Sequence, residues 1–223
     1  MNKIAKGWQY QVYDLENGRV RKKTYPAIIQ YWYILRTNYF YSLKTKSGFN
    51  WDVFVKSWRN MQRSRAMEKT SNDYIKSILF LFDSAILGNP LFLSNGYEQD
   101  RATVLDNIFK GCSFSEGKRI LDGYVALIQI TWTYGFADTV FNFTVNNSLN
   151  SQSNVIQIDF GELTFNKSDV GSDIVNKSWL KNASYNLFPP GELKDYFCEI
   201  MNRELTLERL DRLWGIKLNC QYN

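Results

Sequence analysis

The run Asn154-Val155-Ile156-Gln157-Ile158-Asp159-Phe160-Gly161 decides how the chain is read. Residues 155–158 are largely β-branched and follow the polar stretch 147–153, a pattern that predicts a strand entered from a hairpin whose first arm is residues 143–146. Asp159 stands at the end of that strand. A carboxylate there has its direction fixed by the strand, and Gly161 lets the backbone turn away, so the residue suits a hard cation such as Mg²⁺. The other reading of Asp159 is a structural residue that caps the next turn.

Moving outward, residues 117–134 are apolar over most of their girth and predict a buried helix stopped by Gly135. Residues 136–142 read as a loop. Toward the N-terminus, Glu16-Asn17-Gly18 separates two strand-like runs, residues 9–15 and 19–23, as a hairpin turn does. Asn95-Gly96 marks a second hairpin between residues 85–93 and 97–105. The aromatic-rich stretches 27–42 and 51–69 have helical spacing, the latter with Val53, Phe54, Trp58 and Met61 on one face, and residues 73–82 form a third helical piece. Beyond Asp159, helices are predicted over 167–181, 192–202 and 207–214, the last with Thr206 as N-cap and Gly215 as stop.

The chain has 223 residues, 44% hydrophobic and 22% charged, which suits one compact unit or two closely packed lobes with a sizeable core. It contains no histidine. That excludes Ser-His-Asp and Cys-His nucleophilic sites, His-ligated zinc and imidazole acid-base chemistry. Cys112, Cys198 and Cys220 are an odd number without Cys-x-x-Cys spacing, so a reducing, cytoplasmic setting is expected. The first residues lack an apolar signal region, and no run approaches a membrane span in length. Charge is uneven: residues 1–111 carry 17 Lys and Arg against 9 Asp and Glu, residues 112–223 carry 10 against 13. A basic first half attracts phosphate and an acidic second half suits a metal ion, although a solvated basic helix face accounts for the same numbers.

Strands, a basic strand with a lysine, further strands, a buried helix, a loop, a hairpin and Asp159-Phe160-Gly161 follow one another in an order that resembles the protein-kinase-like superfamily, which includes small-molecule phosphotransferases. The residues that carry the resemblance are 7–12, 20–22, 138–142 and 159–162. It implies an α+β, two-lobed protein-kinase-like fold: a small strand-containing N-lobe with inserted helices over residues 1–105, and a mainly helical C-lobe over 106–223. It also implies ATP and Mg²⁺ as cofactors, a cleft near residues 95–105, and Tyr97 to Asp100 as the hinge along the adenine edge.

The roles carried over are these. Asp159 and Asn142 resemble the metal ligands, and Asp138 resembles the base that orients the acceptor hydroxyl and takes its proton. Val20-Arg21-Lys22 resembles the strand whose lysine reaches the α- and β-phosphates, with Val20 packing on adenine from the same strand face. The chain departs from the pattern in several places. Asp138 and Asn142 are four residues apart rather than five, and Phe136 and Ala137 stand where His and Arg are usual. Asn146 lies thirteen residues before Asp159, the family interval, and competes with Asn142, but it puts Phe141 at the base position. Of the glycine-rich loop only Gly7 remains before Val12. The carboxylate expected to pair with Lys22 is not evident; Glu68 lies far along the chain.

Two functions fit this reading: Mg²⁺-dependent transfer of the ATP γ-phosphoryl group to a hydroxyl-bearing small-molecule acceptor, or a catalytically inactive kinase-fold protein that binds or regulates an unknown protein partner. Nucleic-acid binding by Lys56, Arg59, Arg63, Arg65 and Lys69 is the least favoured, with Trp58 expected in the core.

Overall fold

The computed structural model describes residues 2–6, 9–44, 51–139, 141–188 and 190–219. Two compact units divide the chain, one formed by residues 1–70 and 90–101, the other by 71–89 and 102–223. The first therefore receives chain from two separate stretches. Both mix helices with antiparallel strands.

The first unit is built on a five-stranded sheet in the order β1-β2-β3-β5-β4, with β1 Asn2–Lys6, β2 Tyr10–Asp14, β3 Arg19–Thr24, β4 Leu91–Leu93 and β5 Gly96–Asp100. The hairpin between β2 and β3 forms around Glu16 and Gly18, both at positive φ, while Asp14 Oδ1 accepts from the Glu16 amide at 2.9 Å. One face of β3 and β5 presents Val20, Lys22, Tyr97 and Gln99, all buried. The other carries cross-strand ion pairs, Arg19 to Asp100 at 2.8 Å and Arg21 to Glu98. Gly96 opens β5 at φ +105°, and a Cβ there would overlap the Lys22 carbonyl oxygen, so only glycine permits this approach of β4–β5 to β3.

Two helices complete this unit: α1, Ala27–Lys44, and the first part of α2, Trp51–Ile78. Residues 73–78 are continuous with α2 and do not form the separate helix expected from the sequence. Ser57, Met61, Glu68, Ser71, Ile75 and Ile78 are the buried stripe of α2, recurring at three- and four-residue intervals or their sum. Trp58 is off that stripe. It is 44% exposed, a correction to its expected place in the core.

In the second unit, 3₁₀ turns at Leu79–Leu81 and Ser84–Leu87 precede β6, Thr103–Val104, and α3, Leu105–Phe109. The strand reading of residues 85–87 is thus replaced by a 3₁₀ turn, and β6 leaves the first sheet to pair with β8. The long helix α4, Phe114–Thr133, begins at Ser113, whose hydroxyl accepts from the Glu116 amide, and ends at Gly135 in the left-handed region. Its buried residues Ile120, Leu121, Tyr124 and Val125 meet a core that includes Phe143, Phe197, Ile200 and Met201. The Phe143 and Phe197 rings stack at 4.6 Å.

After α4 come β7, Ala137–Asp138, α5, Phe143–Asn146, β8, Asn147–Leu149, β9, Val155–Gln157, and β10, Leu163–Thr164. The hairpin expected here exists, but its first arm is β8; residues 143–146 are a helical turn because Asn142 O accepts the Val145 and Asn146 amides. The remaining helices are α6 Lys167–Asn176, α7 Ala183–Leu187, α8 Glu192–Glu204, α9 Leu207–Leu213 and α10 Ile216–Asn219. Residues 178–181 continue from α6 as a 3₁₀ turn and not as its last turn of α-helix. Thr206 caps α9 as its sequence predicts.

Candidate functional site

In the first unit, Lys22 is the buried cation of β3. Its Nζ lies 5.4 Å from the centre of the Tyr97 ring and 5.9 Å from that of Tyr10, and these two rings meet edge to face. The Tyr10 hydroxyl donates to Glu68 Oε1 at 2.6 Å, and the Thr24 hydroxyl donates to the same oxygen at 3.4 Å. Lys22 and Glu68 therefore border one tyrosine. Glu68 is buried on the α2 stripe, seven residues from Met61 and seven from Ile75. That heptad spacing is the sequence signal that places this carboxylate inside, although it lies 46 positions beyond Lys22.

Val20 shares the buried face with Lys22 and stands opposite Gln99 in register. Gln99 Oε1 is buried and has no hydrogen-bond partner among the described residues. An orphaned acceptor inside a protein costs free energy unless a donor reaches it. Gly7, the remnant of the glycine-rich loop, lies outside the described residues, as does Cys220.

In the second unit, the ends of β7, β8 and β9 meet at Asn146. Its carbonyl accepts the Ile158 amide at 2.8 Å and the Asp159 amide at 3.2 Å, and its side-chain Nδ2 donates to Asp138 Oδ2 at 3.4 Å. Asp159 is held at both ends, since its carbonyl accepts from Gln157 Nε2 at 3.0 Å and its Oδ1 accepts from the Gly161 amide at 3.3 Å. Phe160 is fully buried beneath it. The Thr139 hydroxyl and amide both donate to Glu162 O, which ties the chain after β7 to the chain before β10.

Asp138 thus sits on β7 and not in a free loop. It lines a cavity of about 20 Å³ with Tyr124, Trp132 and Phe141. Burial pushes the Tyr124 hydroxyl well above its ordinary pKa, with the Asp138 charge adding to the shift. Glu162 is raised from the usual carboxylate range, first by burial and then by the charge of Asp159. Two carboxylates close enough to do this attract a cation.

Asn142 is placed differently. Its Oδ1 accepts from the Ser184 hydroxyl at 2.7 Å, and Ser184 is in turn approached by Thr144 at 3.1 Å. Phe141, five residues before Asn146, is buried beside the Trp179 ring with a left-handed backbone, φ +50°. The structure brings Asp138, Asn146 and Asp159 together; it engages the Asn142 oxygen in a separate hydroxyl network.

Among the described residues no three His, Cys, Asp or Glu side chains gather around one metal position. Among them, too, no helix is long and apolar enough to cross a membrane. No protein-family model matches the chain, and no curated protein matches its sequence.

Proposed function

We propose that the chain is a protein-kinase-like nucleotide-binding protein that takes MgATP and lacks the base for phosphoryl transfer. Asn146 carries this reading. Its backbone carbonyl accepts the Ile158 and Asp159 amides, which ties its main chain to that of Asp159, thirteen residues on, while its side chain meets Asp138. On that register the base position is Phe141, a buried ring with no group able to accept a proton.

The residues fit the groups this reading requires. Asp159 and the Asn146 amide oxygen are hard donors of the kind Mg²⁺ prefers. When bound, the ion supplies positive charge that neutralises phosphate oxygens. Lys22 supplies a cation for the phosphates, held in place by Tyr10 and Tyr97. Val20 offers an apolar surface for the base, and the orphaned Gln99 Oε1 accepts an exocyclic amine. Asp138 acts as a positioning residue, because its Oδ2 accepts from Asn146 and orients the amide oxygen the other way.

One observation favours a second reading, transfer to a small hydroxyl acceptor with Asp138 as the base: the 3.4 Å contact leaves a carboxylate next to Asn146. The two are separated by following the ATP γ-phosphoryl group in the presence of Mg²⁺ and a panel of polyhydroxylated small molecules. The binding reading expects MgATP-dependent thermal stabilisation without transfer. Transfer by the wild type that disappears in Asp138→Asn favours the enzyme.

A further inference from the structure

We propose that the outward face of α1 and α2 docks on an anionic lipid bilayer. Helix α1 is apolar on more than its buried side: Gln30 and Leu35 face inward, yet Ile28, Trp32 and Phe40 are exposed. A helix that is apolar around most of its girth requires cover. Trp32 is 60% exposed, and on α2 the half-exposed Val55 and Trp58 continue the surface. The Tyr31 ring joins the two helices, 6.1 Å from Trp32 and 5.4 Å from Trp58, so the aromatic residues form one patch.

Charge selects the occupant. Arg36, Lys56, Arg59 and Arg63 are exposed around the patch, and none forms an ion pair among the described residues. Asp52 is the only acidic residue between Thr24 and Met67. Tryptophan and aliphatic side chains beside Lys and Arg match the boundary between acyl chains and anionic head groups, where a helix lies flat without spanning. Ile28 and Val55 add an aliphatic part to the patch that acyl chains cover and that base stacking does not use. A second copy would set these cations against their own equivalents.

The test is co-sedimentation of the full chain with vesicles of phosphatidylcholine containing about one-third phosphatidylserine, and with phosphatidylcholine alone, at about 0.15 M salt. The expected result is pelleting with the anionic vesicles, with a blue shift of tryptophan emission, and none with the neutral ones. Arg59→Gln/Arg63→Gln should weaken partitioning about thirty-fold. Trp32→Ser/Trp58→Ser removes the aromatic part of the patch, so pelleting should be lost at a temperature below the variant's own unfolding transition, where its circular dichroism matches wild type. The proposal is overturned if the wild type stays in solution with both vesicles, or if the tryptophan variant pellets as well as wild type. It is equally overturned by tight oligonucleotide binding that vesicles do not displace, or by a dimer that the tryptophan variant dissolves without any vesicle binding.

Discussion

Glu68 Oε1 accepts the Tyr10 hydroxyl at 2.6 Å, and the Tyr10 ring flanks Lys22, so a carboxylate from α2 and a cation from β3 share one aromatic neighbour. A hydrogen bond to a charged acceptor is worth about 2 kcal/mol, and its loss inside a protein leaves that acceptor under-satisfied. Tyr10→Phe should therefore lower stability by about 2 kcal/mol in denaturant unfolding. An unchanged midpoint would show that this bond is not made in solution.

Gly96 is fixed by geometry. At φ +105° with the Lys22 carbonyl where a Cβ would sit, alanine forces the β4–β5 hairpin away from β3. Gly96→Ala should cost about 3 kcal/mol, measured by chemical denaturation. Gly18 offers the contrast: it also has positive φ, but nothing lies within 4 Å of its Cβ direction, so its substitution costs only the backbone strain, about 1 kcal/mol.

Asn142 and Asn146 should behave differently. Asn142→Ala removes the acceptor of the Ser184 hydroxyl and should cost about 1 kcal/mol of stability while leaving the MgATP response intact. Asn146→Ala should abolish the Mg²⁺-dependent part of that response. The reverse pattern, measured by thermal shift with and without Mg²⁺, would return the metal role to Asn142.

Glu162 predicts a pH dependence. Its folded pKa is raised by burial and by Asp159, so the favourable contribution of its protonated form is complete below the ordinary glutamate value and is lost as pH rises through the raised one. Glu162→Gln keeps a neutral side chain at all pH values. The variant should gain on wild type as pH rises from the ordinary glutamate value through the raised one, and the difference should level off above it. A difference independent of pH, in unfolding followed from acid to neutral, would contradict the shift.

Much of this architecture is legible in local sequence. Asn17-Gly18 and Asn95-Gly96 announce their hairpins, and Gly135 ends α4, because left-handed backbone favours glycine. Val20 and Lys22 share a face by strand alternation alone. What escapes the sequence reading depends on partners distant along the chain. Residues 143–146 look like a strand, but the Asn142 carbonyl closes a helical turn there and shifts the hairpin arm to β8. Trp58 suggests core by its type, yet the three-four stripe of α2 passes through Ser57 and Met61 and leaves it outside. Glu68 is visible only when that stripe is traced along the whole helix.

MgATP binding is tested most directly by thermal unfolding of the wild type beside Lys22→Ala and Asp159→Ala. At a ligand concentration about a hundred times the dissociation constant, binding should stabilise the wild type by about 2.7 kcal/mol, and each variant should lose that gain. A wild type whose unfolding is indifferent to saturating MgATP would contradict the account.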